Sequence, residues 1–189
     1  FLFRITEGIR TMEELKLNQT QEQRLQVIED LRKEGTDPYG SRFDRTHSAE
    51  EAKAFFCEAE ADAAEKEHFT TGPVKIAGRI MSKRDQGKTA FVHIADQSGK
   101  IQIYIRKDVI GEETFAMLKR LYAGDIIGVE GPTFRTRTGE VSIRAEKITI
   151  LSKSITPPPE KFHGLTDVEL RYRNRYVDLM SNPEVRDTF

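Results

Sequence analysis

The sequence holds a single cysteine, Cys57, among 189 residues. No internal disulfide can form and no cysteine metal site can be assembled, so a reducing compartment, the cytoplasm, is expected. Long apolar runs are missing as well. None approaches the roughly 20 residues needed to span a bilayer, and Phe1-Leu2-Phe3 is too short for a signal-peptide core, so no membrane partner is expected. Histidines are few. His93 and His163 invite a metal reading, but neither has a second ligand nearby at a metal spacing, so no metal site is expected.

Net charge is also close to absent, at −1, but it is unevenly spread. Residues 1–72 carry 10 basic and 16 acidic side chains, residues 73–155 carry 15 and 9, and the last 34 carry 5 and 6. A basic middle in a nearly neutral chain points to a local polyanion site. On charge alone, chance imbalance on a solvated surface explains it equally well.

The chain is organised around residues 74–151. Lys88 to Asp96, then Gln97-Ser98-Gly99, then Lys100 to Arg106 reads as strand, turn, strand. Successive side chains of a strand point to opposite faces, so Ile101, Ile103 and Ile105 go inward and Gln102 and Tyr104 outward. Val92 and Ile94 likewise go inward, which puts Phe91 and His93 on the outer face. An aromatic ring on a wet strand face, beside amide and basic groups, is what a base-stacking platform needs. Val74 to about Met81 forms strand one, with Val74, Ile76, Gly78 and Ile80 on one face and Lys75 and Arg79 on the other. Residues 83–87 form the first loop. Asp108 caps a helix running to about Tyr122, with Phe115, Met117, Leu118 and Leu121 apolar, and Gly124 ends it. Strand four is Asp125 to Phe134, where Gly131-Pro132 suits an edge or a bulge. Residues 135–139 form a basic loop. Strand five runs from Glu140 to Leu151, with Val141, Ile143 and Ala145 inward and Glu140, Ser142 and Arg144 outward.

Three strands, a helix and two strands is the order of an OB-fold, a partly open five-stranded barrel that binds oligonucleotides on strands two and three and the adjoining loops. Those loops carry Lys83, Arg84, Arg135 and Arg137, so charge, aromatic and fold order converge on one surface. The expected fold class is therefore mainly β with flanking helices (α+β).

Outside the barrel, Gln21 to Glu34 is helical, with Leu25, Ile28 and Leu31 as its stripe, Gly35 as its stop and residues 37–40 as a turn. Ser48 and Glu51 have capping-box spacing at the head of a second helix, which carries Phe55, Phe56, Ala59 and Ala63 toward Lys66. Both helices are expected to pack on the barrel, with Arg24, Arg32 and Lys33 as candidate backbone contacts to nucleic acid. This gives an N-terminal helical extension at 1–72, within which 1–11 reads as upstream or non-native sequence because Met12 looks like a start. A barrel follows at 73–152 and a stiff proline-rich linker at 153–160. Thr166 and Glu169 make a further capping box for a helix to about Met180. Residues 161–189 have no room for a core, so the chain reads as the front of something longer.

At this point particular stretches resemble a known family, the bacterial-type class II lysyl-tRNA synthetases, over essentially residues 12–189. The matching stretches include residues 77–81, 87–91, 100–104, 124–128 and 136–140. The most specific are Pro159 to Asp167 and Arg171 to Leu179. The resemblance implies that the barrel binds the uridine-rich anticodon of the tRNA for lysine. Phe91 would stack on the central uridine, Gln102 would hydrogen-bond the base, and Arg84 and Glu140 would join them. Lys83, His93, Tyr104, Arg135 and Arg137 are expected as supporting contacts. An amide can serve a uracil edge, and Glu140 beside RNA makes sense as an acceptor from a base N–H, or else as a partner of Arg84 or Arg137. The resemblance also implies a homodimeric full-length enzyme that uses ATP and Mg2+ in a catalytic domain starting near residue 161. The class II motifs lie outside residues 1–189, so no catalytic residue and no cofactor is expected here. The alternatives are a generic single-stranded nucleic-acid-binding OB module, a sister aspartate or asparagine synthetase anticodon domain, or a protein-interaction barrel.

Overall fold

A computed structural model describes residues 17–40, 42–64, 68–159 and 167–188. The proposed upstream segment 1–11 and the linker end at residue 160 lie outside this set, as does Thr166 of the anticipated capping box. The helix there is capped instead by Asp167, whose side chain accepts from the Leu170 N–H.

The alternating apolar segments build the centre. Strands β2 (Thr89–Ala95) and β3 (Lys100–Arg106) alternate buried and partly exposed residues, as their two-residue period dictates. β1 (Thr70–Gln86) is far longer than its apolar pattern suggests. Residues 83–86 are not a loop; they pair with β2 down to Gln86 opposite Thr89, and the turn is Gly87-Lys88. Gly87 has a φ of +62°, a conformation glycine adopts without a side-chain penalty.

The anticipated long helix after β3 is broken into α3 (Lys107–Ile110), α4 (Glu112–Met117) and a 3-10 turn (Leu118–Arg120). Gly111, at φ +83°, separates the first two. Asp108 caps nothing; it pairs with Arg106. β4 (Ile126–Arg135) continues through Gly131-Pro132 and pairs with β1, with a register shift between Thr70 and Pro73, opposite Phe134 and Pro132, in keeping with the bulge expected there. The single strand five expected at 140–151 is divided into β5 (Val141–Arg144) and β6 (Lys147–Ser152). β6 pairs with β4 up to Glu130, whereas β5 pairs with it from Thr133 and also lies parallel to β3. The pairings β1–β2–β3–β5–β4–β1 therefore return to their starting strand, with β6 extending β4.

Gly131 sits at this change of partner. A Cβ there would lie 2.0 Å from the Arg144 carbonyl oxygen. Gly131→Ala is therefore expected to cost about 1–3 kcal/mol through forced backbone displacement. Chemical denaturation measures this, and an unchanged midpoint would refute the close approach.

The interior is almost entirely branched aliphatic: Ile76, Ile80, Val92, Ile94, Ile101, Ile103, Ile105, Ile127 and Ile143 are all essentially sealed from solvent. Two capped helices close over it. α1 (Gln19–Lys33) starts on an Asn18–Gln21 capping box and buries Ile28 and Leu31. α2 (Ala49–Asp62) starts on the Ser48–Glu51 capping box and buries Ala52 and Phe56, while Phe55 stays exposed. Its first turn is anchored on the β2–β3 turn: the Ala49 N–H donates to Asp96 Oδ2 at 2.9 Å and the Glu50 N–H to Ser98 Oγ at 3.1 Å. Burial pushes the Asp96 carboxyl up, but hydrogen bonds from Ser98, Ala49 and Gly99 outweigh it and leave it below the usual carboxylate range.

A second polar knot fastens the chain where it leaves β6. Asp125 and Lys153 form an ion pair with no solvent exposure on either side chain. Asp125 also accepts from the Tyr122 and Ser154 N–H groups, each at 2.8 Å. Arg24 is buried here too. It donates to the carbonyls of Ala123 at 3.2 Å and Ser154 at 3.0 Å, and its guanidinium lies 5.0 Å from the Tyr122 ring centre. The expectation of Arg24 as a backbone contact to nucleic acid is therefore corrected: it is a tie between α1 and the exit segment. Beyond residue 166 the described chain forms three short helices, α5 (Val168–Arg173), α6 (Arg175–Ser181) and α7 (Pro183–Thr188).

Candidate nucleic-acid interface

An open pocket of about 610 Å³ lies on the outer face of β1, β2 and β3, bounded by the β4–β5 loop. The residues that reach it are set by strand register. His93 is opposite Gln102 and Phe91 opposite Tyr104 in the β2–β3 pair; Gln102 is in turn beside Ser142 of β5. Both strands therefore deliver alternate side chains to one surface.

β1 reaches this surface by a different route. Before Met81, even-numbered residues point inward. A register shift between Ile80 and Ser82 reverses the phase, so Ser82 lies opposite His93 and Arg84 opposite Phe91. Arg84 is thereby placed on the open face, exposed beside the ring. Lys83, opposite Val92, alternates to the other face and lines only the edge of the pocket. Its ammonium donates to the Leu118 carbonyl at 2.6 Å and sits 3.5 Å from Asp85, so it is committed to the protein rather than held on a loop for a ligand.

Three rings form a row across the pocket. The Phe91 and Tyr104 centroids are 5.0 Å apart with planes 33° apart, and the Tyr104 and Phe134 centroids are 5.8 Å apart at 52°. Such tilted pairs support one another while leaving faces available for a further planar group. Phe134, the last residue of the anticipated strand four, was not singled out from the sequence.

Next to the rings is a polar chain. Gln102 Nε2 donates to Glu140 Oε2 at 2.9 Å, and Ser142 Oγ donates to Gln102 Oε1 at 3.0 Å. His93 Nε2 lies 3.4 Å from the Gln102 amide nitrogen and 3.5 Å from Glu140 Oε1, and its Nδ1 is 3.2 Å from Ser82 Oγ. Glu140 thus pairs with Gln102 and His93, not with Arg84 or Arg137. Ser142, expected on the outer face, is on that side but fully covered.

The basic β4–β5 loop divides in role. Arg137 is exposed and lines the pocket. Arg135 is taken up by the protein: its guanidinium makes two hydrogen bonds to Glu60 of α2, at 3.0 and 2.5 Å, donates to the Gly139 carbonyl, and lies 5.3 Å from the Phe56 ring centre. The bond to Glu60 raises its already high pKa further. Of the nine residues named from the sequence, the fold brings Phe91, Gln102, Arg84, Glu140, His93, Tyr104 and Arg137 to one surface; Lys83 lines its edge with its ammonium held by the Leu118 carbonyl, and Arg135 is bound to Glu60. Among the described residues no group of three or more His, Cys, Asp or Glu is placed to hold a metal ion. No described helix is long and apolar enough to cross a membrane.

The surface joins a stacking row, an amide–carboxylate pair and two free guanidinium groups, a combination suited to splayed bases on a phosphate backbone. Comparison with known proteins agrees. Residues 74–151 match the family described as an OB-fold nucleic acid binding domain. A lysine–tRNA ligase of Carboxydothermus hydrogenoformans is 50% identical over 178 residues, covering 94% of this chain and 34% of that protein. The lysine–tRNA ligase of Pelotomaculum thermopropionicum is 50% identical over 173 residues, 92% of this chain and 32% of its own length. That of Halalkalibacterium halodurans is 45% identical over 179 residues, 94% of this chain and 35% of its own length. The chain spans about a third of the length of these curated relatives. Along more than nine-tenths of its own length the chain is thus similar to about a third of these lysine–tRNA ligases, and the part of it at residues 74–151 is an OB-fold nucleic acid binding domain.

Proposed function

We propose that this chain is the anticodon-binding part of a cytoplasmic lysine–tRNA ligase and that its pocket receives the uridine-rich anticodon of the tRNA for lysine. The observation that carries this reading is the juxtaposition of the Phe91–Tyr104–Phe134 row with the Gln102–Glu140 pair. A ring row alone binds any base, because every base has a π-face. The polar pair adds a donor and an acceptor at the edge of a stacked base, which gives selectivity a physical basis. Arg84 and Arg137 flank the rings and suit the phosphates that position the strand. In the whole enzyme, lysine would be joined to its tRNA with ATP and Mg2+, in a homodimer. No catalytic, ATP-binding or metal role is assigned to any residue of this chain. The relatives reported above are lysine–tRNA ligases, which favours lysine over the sister aspartate and asparagine systems.

The test is a titration of the chain with two labelled anticodon stem-loops, one carrying UUU and one CCC, at two salt concentrations. Tighter binding to UUU, persisting at the higher salt, is the expected result, because base readout releases no counterions. Equal affinities that fall together with salt would leave a generic single-strand binder. No binding of either loop would leave a protein-interaction barrel.

A further inference from the structure

Ser142 is a polar side chain with no solvent exposure, held against Gln102, which lines the open pocket. Its hydroxyl donates to Gln102 Oε1 at 3.0 Å, while a second acceptor, the Glu140 carbonyl, is further off at 3.4 Å. On the opposite side of the same amide, Nε2 donates to Glu140 Oε2 at 2.9 Å. Turning the amide over would set its carbonyl oxygen against the Glu140 carboxylate and remove the acceptor facing Ser142. The Glu140 carboxylate, which only accepts, requires the nitrogen on its side, and Ser142 favours the same orientation because its other acceptor is the more distant one. The second amide hydrogen has His93 Nε2 within 3.4 Å, a long contact that a base acceptor can replace with a shorter one.

We infer that Ser142 is a positioning residue for base selection: by donating to Gln102 it keeps an N–H, rather than a carbonyl, beside the Glu140 carboxylate at the edge of the stacked base. This rests on the anticodon reading above and sharpens it. A donor next to an acceptor complements uracil, whose O4 accepts beside a donating N3–H. Guanine offers the same order through O6 and N1–H. Cytosine and adenine offer the reverse, an amino donor beside an accepting ring nitrogen, and would meet donor with donor and acceptor with acceptor. The device distinguishes keto bases from amino bases; it does not separate uracil from guanine. Ser142 acts through Gln102 and, being covered, touches no base itself.

The experiment varies only the central base, using stem-loops with UUU, UCU and UGU anticodons. They are titrated against the unaltered chain, Ser142→Ala, Gln102→Ala and the double variant, with thermal melts alongside. Loss of one hydrogen bond predicts that Ser142→Ala lowers the preference for UUU over UCU by roughly 3- to 10-fold. The UUU to UGU ratio should hold, an outcome that general damage to the pocket would not produce. In the Gln102→Ala background, Ser142→Ala should change the UUU to UCU ratio no further. Should Ser142→Ala fail to fold, Ser142→Cys, which keeps the volume and supplies only a weak donor, carries the same comparison. A folded variant that retains the full preference for UUU over UCU, or that weakens all three loops equally, overturns the inference and leaves the anticodon reading intact. An unaltered chain with no preference for UUU over UCU overturns both.

Discussion

Replacing Asp125 with alanine is expected to lower stability by about 3–5 kcal/mol, the usual result of stranding one member of a buried ion pair. The Lys153 ammonium would then have the Arg120 carbonyl and the face of Tyr122, 4.8 Å away, but no counter-charge. The Tyr122 and Ser154 N–H groups would also lose their acceptor. Burial already pushes Lys153 below the ordinary lysine range, with Asp125 opposing that fall. Domains of this size have only about 5–15 kcal/mol of stability in all, so the loss should appear as a melting point lower by about 10 °C. Asp125→Leu combined with Lys153→Met should cost less than Asp125→Ala alone, because no charge remains buried. A single variant that melts with the unaltered chain would show that the pair is not desolvated as described.

The largest effect on binding is expected at Phe91. Phe91→Ala should weaken the UUU stem-loop by about 1–3 kcal/mol, or roughly 5- to 150-fold. The ring lies between the exposed Arg84 and Tyr104, so its removal takes away the stacking face but no charge. The dependence of affinity on salt should accordingly keep its slope, since the number of phosphates neutralised is unchanged. Phe91 is half-exposed, so the fold should survive, and a melt in parallel checks that. Unchanged affinity in a folded variant would remove Phe91 from the stacking role.

The sequence yielded most where one face is apolar and the other wet. β2 and β3 follow their alternation residue for residue, and the outward placement of Phe91, His93, Gln102 and Tyr104 came directly from it. The Ser48–Glu51 capping box was legible for the same kind of reason, since both partners are local in sequence. What escaped notice depends on distance along the chain. Arg24 stands on a helix face among polar neighbours, and only the turn at 122–125 and the exit segment make its burial possible. Asp125 and Lys153 are ordinary charges until β4 and β6 bring them together. Residues 83–86 read as a loop because a hairpin tip exposed on both faces has no apolar period to detect. Arg135 offered itself as a ligand contact on composition, and only the docking of α2 reveals that Glu60 already holds it.

The register shift between Ile80 and Ser82 makes this surface indifferent to one loss and sensitive to its neighbour. Met81 is the residue left over in the pairing, so removing it would still leave Ser82 opposite His93 and Arg84 opposite Phe91. Removing Lys83, two places further on, would make the side chains after it exchange faces. Arg84 would then fall opposite Val92 and Asp85 opposite Phe91. An acid would stand beside the stacking ring in place of a base, with the composition changed by a single residue. Chain length beyond the shift is thus itself a determinant of what this surface can bind.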